Sequence, residues 1–312
     1  MELWSGKNGK LISKEGWEQQ IDQLKRQLRS SLKDTAMHNQ KERCAAEIAE
    51  ALASAVQQRV PNHRYGIFLS GGVDSSLLTV YAEKTDIICY TVGYKGATEA
   101  RDVTASRALV KKYNLLWKLK LLTLAEVEKY IEHALEILKP VNLIDSVSIG
   151  IAVVIIAAAE EAQKDNITAF LGGLGAEEIF AGYKRHIEIS KASVKTSSVN
   201  EECWRGLRAM WTRDLVRDAA LAQALSISVR TPFLDEEVIK AAMRCPEKWK
   251  IVNGERKVIL REIAEAAGVP KEIAWRSKQA AQYGSGIDKA IAKLTKMHGY
   301  SDKGAYLKSI CE

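Results

Sequence analysis

The sequence is short of several features, and each shortage removes a class of protein. No apolar run reaches the roughly 20 residues that crossing a bilayer requires. The nearest, Ile149–Ala159, is about half that length and is followed by Glu160-Glu161, so it reads as a buried helix or strand. The opening Met1-Glu2-Leu3-Trp4 lacks the basic-then-apolar pattern of a secretory signal. A cytoplasmic location with no membrane partner is the expectation. The five cysteines, Cys44, Cys89, Cys203, Cys245 and Cys311, are odd in number and none is spaced C-x-x-C. That argues against a thiolate metal or redox site and for reduced, mostly structural thiols. No basic run is interleaved with aromatics in the manner of an RNA-binding face. There is no internal repeat and no low-complexity tract.

What remains is ordinary bulk with patterned segments. Of 312 residues, 46% are apolar and 27% charged, enough for one large domain or two modest ones. The net charge of +7 suits an anionic ligand such as ATP, and equally suits RNA. Helical spacing predicts an amphipathic helix over Trp17–Leu32, after a turn at Lys7-Asn8-Gly9-Lys10, and a second helix over Lys41–Val60, ended by Pro61-Asn62. From Tyr65 strands and helices alternate. Strands are expected at Tyr65–Leu69, Ile87–Val92, Leu116–Leu122 and Ala169–Leu171, and helices at Ser75–Lys84, Glu99–Tyr113, Leu124–Leu138 and Ile149–Lys164. Such alternation predicts an α/β, doubly wound, mostly parallel sheet, with ligands at the carboxyl ends of the strands. Ser190–Glu202 is polar and aperiodic, a loop and a candidate boundary. Beyond it helices are expected over Cys203–Leu225, Glu236–Arg244, Arg256–Ala267 and Ile287–Met297. The expected division is a helical extension at 1–60, an α/β core at 61–190 and a helical part at 191–312.

The segment Ser70-Gly71-Gly72-Val73-Asp74-Ser75-Ser76 joins an apolar strand to a helix. Its glycines let backbone approach a ligand closely, and a helix start offers N–H groups and a positive dipole end to an anion. The three serines add hydroxyl donors. Asp74 would repel phosphate unless it holds a Mg²⁺ that bridges to phosphate oxygens. No G-K-[ST] follows, so this is not a Walker A loop, and it does not fit the dinucleotide fingerprint.

The segment resembles the PP-loop of the ATP pyrophosphatases. Four more segments agree in order with the synthetase domain of the asparagine synthetase family, to which β-lactam synthetase is related. They are Thr91-Val92-Gly93, Gly172-Gly173-Leu174-Gly175-Ala176-Glu177-Glu178-Ile179-Phe180-Ala181-Gly182-Tyr183, Arg230-Thr231-Pro232-Phe233-Leu234-Asp235 and Trp275-Arg276-Ser277-Lys278. The resemblance spans roughly residues 50–290. It implies an adenine nucleotide alpha hydrolase-like fold and an ATP-dependent carbon–nitrogen ligase that releases AMP and pyrophosphate, with ATP and Mg²⁺ as cofactors. It implies pyrophosphate on Ser70, Gly71, Gly72, Asp74, Ser75 and Ser76. Adenine and ribose would lie against Leu69 and Val92, and ATP would approach Gly172 and Gly173. Mg²⁺ would sit on Asp74 and on Glu177, which replaces the usual aspartate. Lys278 would stabilise charge on the reacting centre. Asp214 and Arg217, three apart on one helix face, match a family pair that either acts in the site or forms a helix salt bridge. Lys257 and Arg261 match a K-x-x-x-R pattern that neutralises phosphate. Arg230, Asp235 and Tyr183 are expected to be structural.

Three departures bear on the second half of the reaction. No glutaminase half of about 200 residues precedes the loop, and residue 2 is Glu2 rather than the cysteine that half requires. Free ammonia, a separate glutaminase subunit or another amine is therefore expected to supply nitrogen. Leu174 stands where the family has a glutamate facing ammonia, and losing a general base typically costs about 10²–10⁴-fold. Leu225–Val229 and Gln279–Gly286 also differ from the family pattern, with Gln279, Gln282 and Tyr283 placed to reshape the acceptor pocket. The leading expectation is a ligase adenylating aspartate or a related acid. Two alternatives stand beside it, a PP-loop enzyme modifying tRNA and a non-catalytic nucleotide-binding regulator.

Overall fold

The computed structural model describes residues 4–5, 10–31, 40–82, 85–191, 198–277 and 279–311. Lys278, most of the turn expected at Lys7–Lys10 and the middle of the loop expected at Ser190–Glu202 lie outside the described residues.

Five parallel strands form the central sheet: β1 (Tyr65–Phe68), β2 (Ile87–Tyr94), β3 (Leu116–Leu122), β4 (Ala169–Leu171) and β5 (Ser228–Arg230). Their spatial order is β3-β2-β1-β4-β5, so the doubly wound sheet expected from the alternation is present. The inner strands read as continuous apolar runs because both faces are covered; seven of the eight residues of β2 are buried. β3 lies at an edge and carries Lys118 and Lys120, charges of the kind that keep an edge from pairing with another chain.

Helices Val73–Ala82 and Arg101–Tyr113 link β1 to β2 and β2 to β3, and helices Leu124–Leu138 and Ser146–Gln163 connect β3 to β4. One core, with Ile67, Leu69 and Leu77, also takes in Trp17, Ile48 and Leu52 of the two N-terminal helices, Lys14–Ser31 and Lys41–Gln57. The other packs Tyr90 and Phe170 against Ile149, Val153 and Ile156. The strand order reverses between β1 and β4. That is the topological switch point, where doubly wound sheets bind ligands.

The structure corrects several expectations. The helix expected over Cys203–Leu225 is two helices, Val199–Ala209 and Asp214–Ala224, parted by a 3₁₀ turn at Met210–Thr212. Met210 and Leu215 are both buried, so the apolar period runs through the break and hides it. The end of the expected loop is helical, because the Ser198 hydroxyl caps the Glu201 N–H at 3.1 Å. Lys257 is not inside a helix but precedes the helix Val258–Ala266, with φ +58°. Strand β5, a short hairpin of Ile251–Val252 with Glu255–Arg256, and a last helix Lys303–Cys311 also form. The apolar stretch noted at Ile149–Ala159 belongs to the helix Ser146–Gln163, which is long and apolar enough to cross a membrane by composition and is largely buried within the protein. The five cysteines are unpaired, and all but Cys311 are buried.

Candidate active site

The turn after β1 and the turn after β4 face each other across the switch point. Gly71, with φ +63°, lies against Ala105 and Ser106, where a Cβ would come within 2.5 Å of the Ala105 side chain. Only glycine fits there. The Ser75 hydroxyl lies 3.2 Å from Ser70 Oγ, accepts from the Ser70 N–H at 3.2 Å and donates to the Gly72 carbonyl. Arg276 closes the loop from outside: its Nη1 donates to the carbonyls of Ser70 and Gly71, both at 3.0 Å, while its Nη2 pairs with Asp102. The Leu69 carbonyl accepts from Thr91 at 2.8 Å and Ser106 at 3.1 Å.

Asp74 lies in the first turn of the helix Val73–Ala82, and Glu177 in the first turn of the short helix Ala176–Ile179. Their carboxylates converge on one point. Lys257 Nζ occupies it, 2.8 Å from both oxygens of Asp74 and 2.6 Å from Glu177 Oε1. The lysine is 1% exposed. Two carboxylates aimed at a single cation also suit Mg²⁺, which is usually held by one or two carboxylates together with substrate phosphates. No group of three or more metal-ligating side chains occurs among the described residues, so a metal here would need phosphate oxygens to complete its shell.

A cavity of about 360 Å³ opens beside this point. Leu69, Ser70, Asp74, Ser75, Val92, Gly172, Gly173, Glu177, Asp214 and Arg217, all singled out in the sequence, stand on its wall. Gly71, Gly72, Ser76 and Lys257 do not. The first two shape the turn, and Ser76 is fully buried with its hydroxyl unpartnered among the described residues, so it offers no donor at the surface. Arg261 does not face phosphate either. Its guanidinium donates to the carbonyls of Arg256, Ala274 and Arg276, which fixes the segment that carries Arg276. Asp214 and Arg217 form the helix ion pair, at 3.2 Å, and line the cavity as well. Of the three residues expected to reshape the acceptor pocket, Gln279 reaches the wall, whereas Gln282 and Tyr283 do not.

Tyr183, expected to be structural, also stands on the wall, together with Glu178, Arg213 and Asp218, which were not singled out. Arg213 pairs with Asp214 at 2.7 Å, and Arg217 with Asp218 at 2.7 Å. Tyr183 donates to Glu178 at 2.6 Å. Burial, then Asp214 and Glu177, push the Glu178 carboxyl up to about 7. Glu178 and Arg276 lie inside matched segments, so their motifs point to them; Arg213 and Asp218 carry no signal beyond standing next to Asp214 and Arg217. Leu174 is partly buried, packs on the core and fronts the cavity, so it brings no titratable group to the wall. Arg230 and Asp235 are structural: Arg230 donates to the Arg59 carbonyl, and Arg59 pairs with Asp235 at 2.9 Å.

A glycine turn and helix start at the switch point of a doubly wound sheet, facing a carboxylate pair, define an α/β protein of the nucleotide-binding type. Residues 47–196 and 188–299 match the family described as asparagine synthase, and the chain belongs to that family. It is 31% identical over 91% of its length to putative asparagine synthetase (glutamine-hydrolysing) 1 of Methanocaldococcus jannaschii, covering 58% of that protein. It is 26% identical over 77% of its length to asparagine synthetase B (glutamine-hydrolysing) of Escherichia coli, covering 45%. The chain thus spans about half the length of these relatives. Among solved structures, NMN synthetase from Francisella tularensis aligns over 86% of this chain and 91% of its own, with 12% identity and a TM-score of 0.40.

Proposed function

We propose that this chain is an ATP-dependent carbon–nitrogen ligase that adenylates a carboxylate, releases pyrophosphate and passes the acyl group to ammonia or an amine. The observation that carries this reading is the convergence of Asp74 and Glu177 on one cation position beside the Ser70–Ser76 turn. Asp74 and Glu177 would hold Mg²⁺, which supplies charge neutralisation between the departing phosphates. The loop N–H groups and the Ser70 and Ser75 hydroxyls would cradle the phosphates, as helix starts do. Leu69 and Val92, at the ends of β1 and β2, would frame adenine and ribose. Lys278, assigned by its motif, would bring positive charge to the phosphates and the reacting centre. The acid's oxygen would attack the α-phosphorus and expel pyrophosphate; the amine would then attack the acyl carbon and expel AMP.

The relatives' names point to aspartate as the acid and to glutamine as the nitrogen source. Leu174 removes one proton acceptor from the wall, so the first half-reaction is the better supported. The test is ATP–pyrophosphate exchange with Mg²⁺ against aspartate, other carboxylic acids and total tRNA. Exchange with a carboxylic acid, reduced on the order of 10²–10³-fold by Asp74→Asn, is expected. Exchange only with tRNA, or full exchange in that variant, would overturn the reading.

A further inference from the structure

Asp102, Ala105 and Ser106 stand at i, i+3 and i+4 on the helix Arg101–Tyr113 and so share one face. That face lies against the turn after β1. Ala105 leaves room only for glycine at position 71, and the Ser106 hydroxyl donates to the Leu69 carbonyl at 3.1 Å. Asp102 reaches the same turn through a second residue. It is 5% exposed and pairs with Nη2 of Arg276, whose Nη1 donates to the Ser70 and Gly71 carbonyls. Arg276 is itself held from behind, because Arg261 donates to its carbonyl and to that of Ala274. The Asp102 carboxylate also meets a third segment. A Cβ at Gly284 would fall on it, and the neighbouring Ser285 carbonyl accepts from the Tyr94 N–H at 2.8 Å at the end of β2. The stretch before Gly284 brings Gln279, Ala280 and Ala281 to the cavity wall, where Asp102 stands too. One carboxylate therefore joins three parts of the chain that no local pattern connects.

We propose that Asp102 is a positioning residue for phosphate binding: acting through Arg276, it fixes the peptide planes of the Ser70–Gly72 turn, and the same carboxylate seats the segment at Gly284. The inference rests on the ligase reading above, in which this turn cradles pyrophosphate. In a trans peptide the N–H points opposite to the C=O. Carbonyls of Ser70 and Gly71 held toward Arg276 therefore turn the N–H groups of Gly71 and Gly72 the other way. A guanidinium suits the task, because its planar fork serves two carbonyls and a carboxylate at once in a fixed geometry. Donation to a carbonyl also polarises its peptide, which strengthens the N–H on the far side. The pair is well covered, with side chains 15% exposed for Arg276 and 6% for Asp102. Among the described residues Asp102 is the carboxylate that Arg276 pairs with. Without it the guanidinium would be a covered charge short of compensation, and it would leave the carbonyls to find water or another anion.

The test compares the full chain with Asp102→Asn, Arg276→Gln, the double variant and Gly284→Ala, with thermal melts giving the folded fraction of each. Calorimetry measures the binding of pyrophosphate with Mg²⁺, and ATP–pyrophosphate exchange measures the reaction. Asp102→Asn and Arg276→Gln should each weaken pyrophosphate binding by about tenfold, the worth of one hydrogen bond to a charged group. Each should lower kcat for exchange by on the order of 10²-fold. The double variant should be no worse than the worse single, since Asp102 acts through Arg276. Gly284→Ala keeps every charge and should weaken binding in the same direction, because its methyl group displaces the carboxylate. Losses that multiply in the double variant would overturn the inference. So would single variants that bind pyrophosphate like the parent and lose exchange only in proportion to unfolded protein, or a Gly284→Ala variant that binds as the parent does. A parent that binds pyrophosphate but exchanges with no acid sinks the ligase reading alone, and the binding series then decides this inference. A parent that does not bind pyrophosphate sinks both.

Discussion

Lys257 carries its charge between two carboxylates in a place that water scarcely reaches, and it does so from a left-handed backbone position with φ +58°. Exchanging one member of a buried ion cluster for an apolar group costs more than an exposed pair would, because the remaining charges lose their compensation. Lys257→Met, which keeps the length of the side chain, is therefore expected to lower stability by roughly 3 kcal/mol. The cost should be partly recovered by Mg²⁺ alone, since a divalent ion that binds only the folded variant raises its melting temperature by mass action. Thermal melts with and without millimolar Mg²⁺ check this. A variant as stable as the parent, or one indifferent to Mg²⁺, contradicts a cation position shared by Asp74 and Glu177. The sequence showed both carboxylates and the lysine, each through its own motif. It did not show that the three meet, because positions 74, 177 and 257 are joined only by the fold.

His186 gives the pH dependence at the same scale. Burial, followed by Arg185, Lys250 and Arg256, pushes its imidazole down to about 3, against an ordinary value of about 6.5. Its Nδ1 accepts from the Tyr183 N–H at 3.1 Å, which needs the neutral ring. The folded state therefore favours the unprotonated form. The stability this contributes is complete above pH 6.5 and is lost as the pH falls toward 3. In His186→Asn, where an amide oxygen takes over the acceptor role, that loss should vanish, flattening the slope by up to about 1.4 kcal/mol per pH unit across the window. Urea midpoints at pH 7.5 and 4.5 decide the matter, and parallel curves for parent and variant would show that His186 takes up no extra proton on unfolding. The residue had no signal in sequence, since a lone buried histidine belongs to no motif.

Among elements, the legible ones were those whose local pattern and tertiary role agree. Leu116–Leu122 and Leu124–Leu138 form with the expected bounds, the second because Thr123 and Glu126 make a reciprocal cap. β5 was not legible: three residues with no alternation become a strand only by pairing with β4. The turn after β4 shows the same dependence. Gly175 has φ +98°, and a Cβ there would come within 2.5 Å of Leu234. It sets the start of the helix that carries Glu177 and Glu178. Gly175→Ala should cost about 2 kcal/mol or more, from strain and from overpacking together. Because Glu177 would move with the turn, pyrophosphate exchange should fall by more than the lost folded fraction explains. Chemical denaturation alongside exchange rates separates the two, and a loss of activity fully accounted for by unfolding would mean that the turn does not place Glu177.

For the whole molecule, the N-terminal helices matter more than their position in the chain suggests. They reach past the sheet to the region beyond residue 190. Trp17 is fully buried and donates to the Leu207 carbonyl at 2.8 Å; Lys25 pairs with Glu201, Lys41 with Glu262 and Arg59 with Asp235. Periodicity marks these helices as amphipathic without saying what their apolar faces cover, because the partners lie some 170 to 220 positions away. Since one core joins Trp17 and Ile48 to Leu77 and to Leu207 and Ile239, the first 60 residues and the segments on either side of the site are expected to unfold as a unit. Trp17→Ala should cost about 3–5 kcal/mol and lower one shared midpoint, seen alike by far-ultraviolet circular dichroism and by loss of nucleotide binding. A variant that loses helix in a first step and keeps its nucleotide site through a second would mean that the N-terminal helices are a separable unit and that the site stands without them.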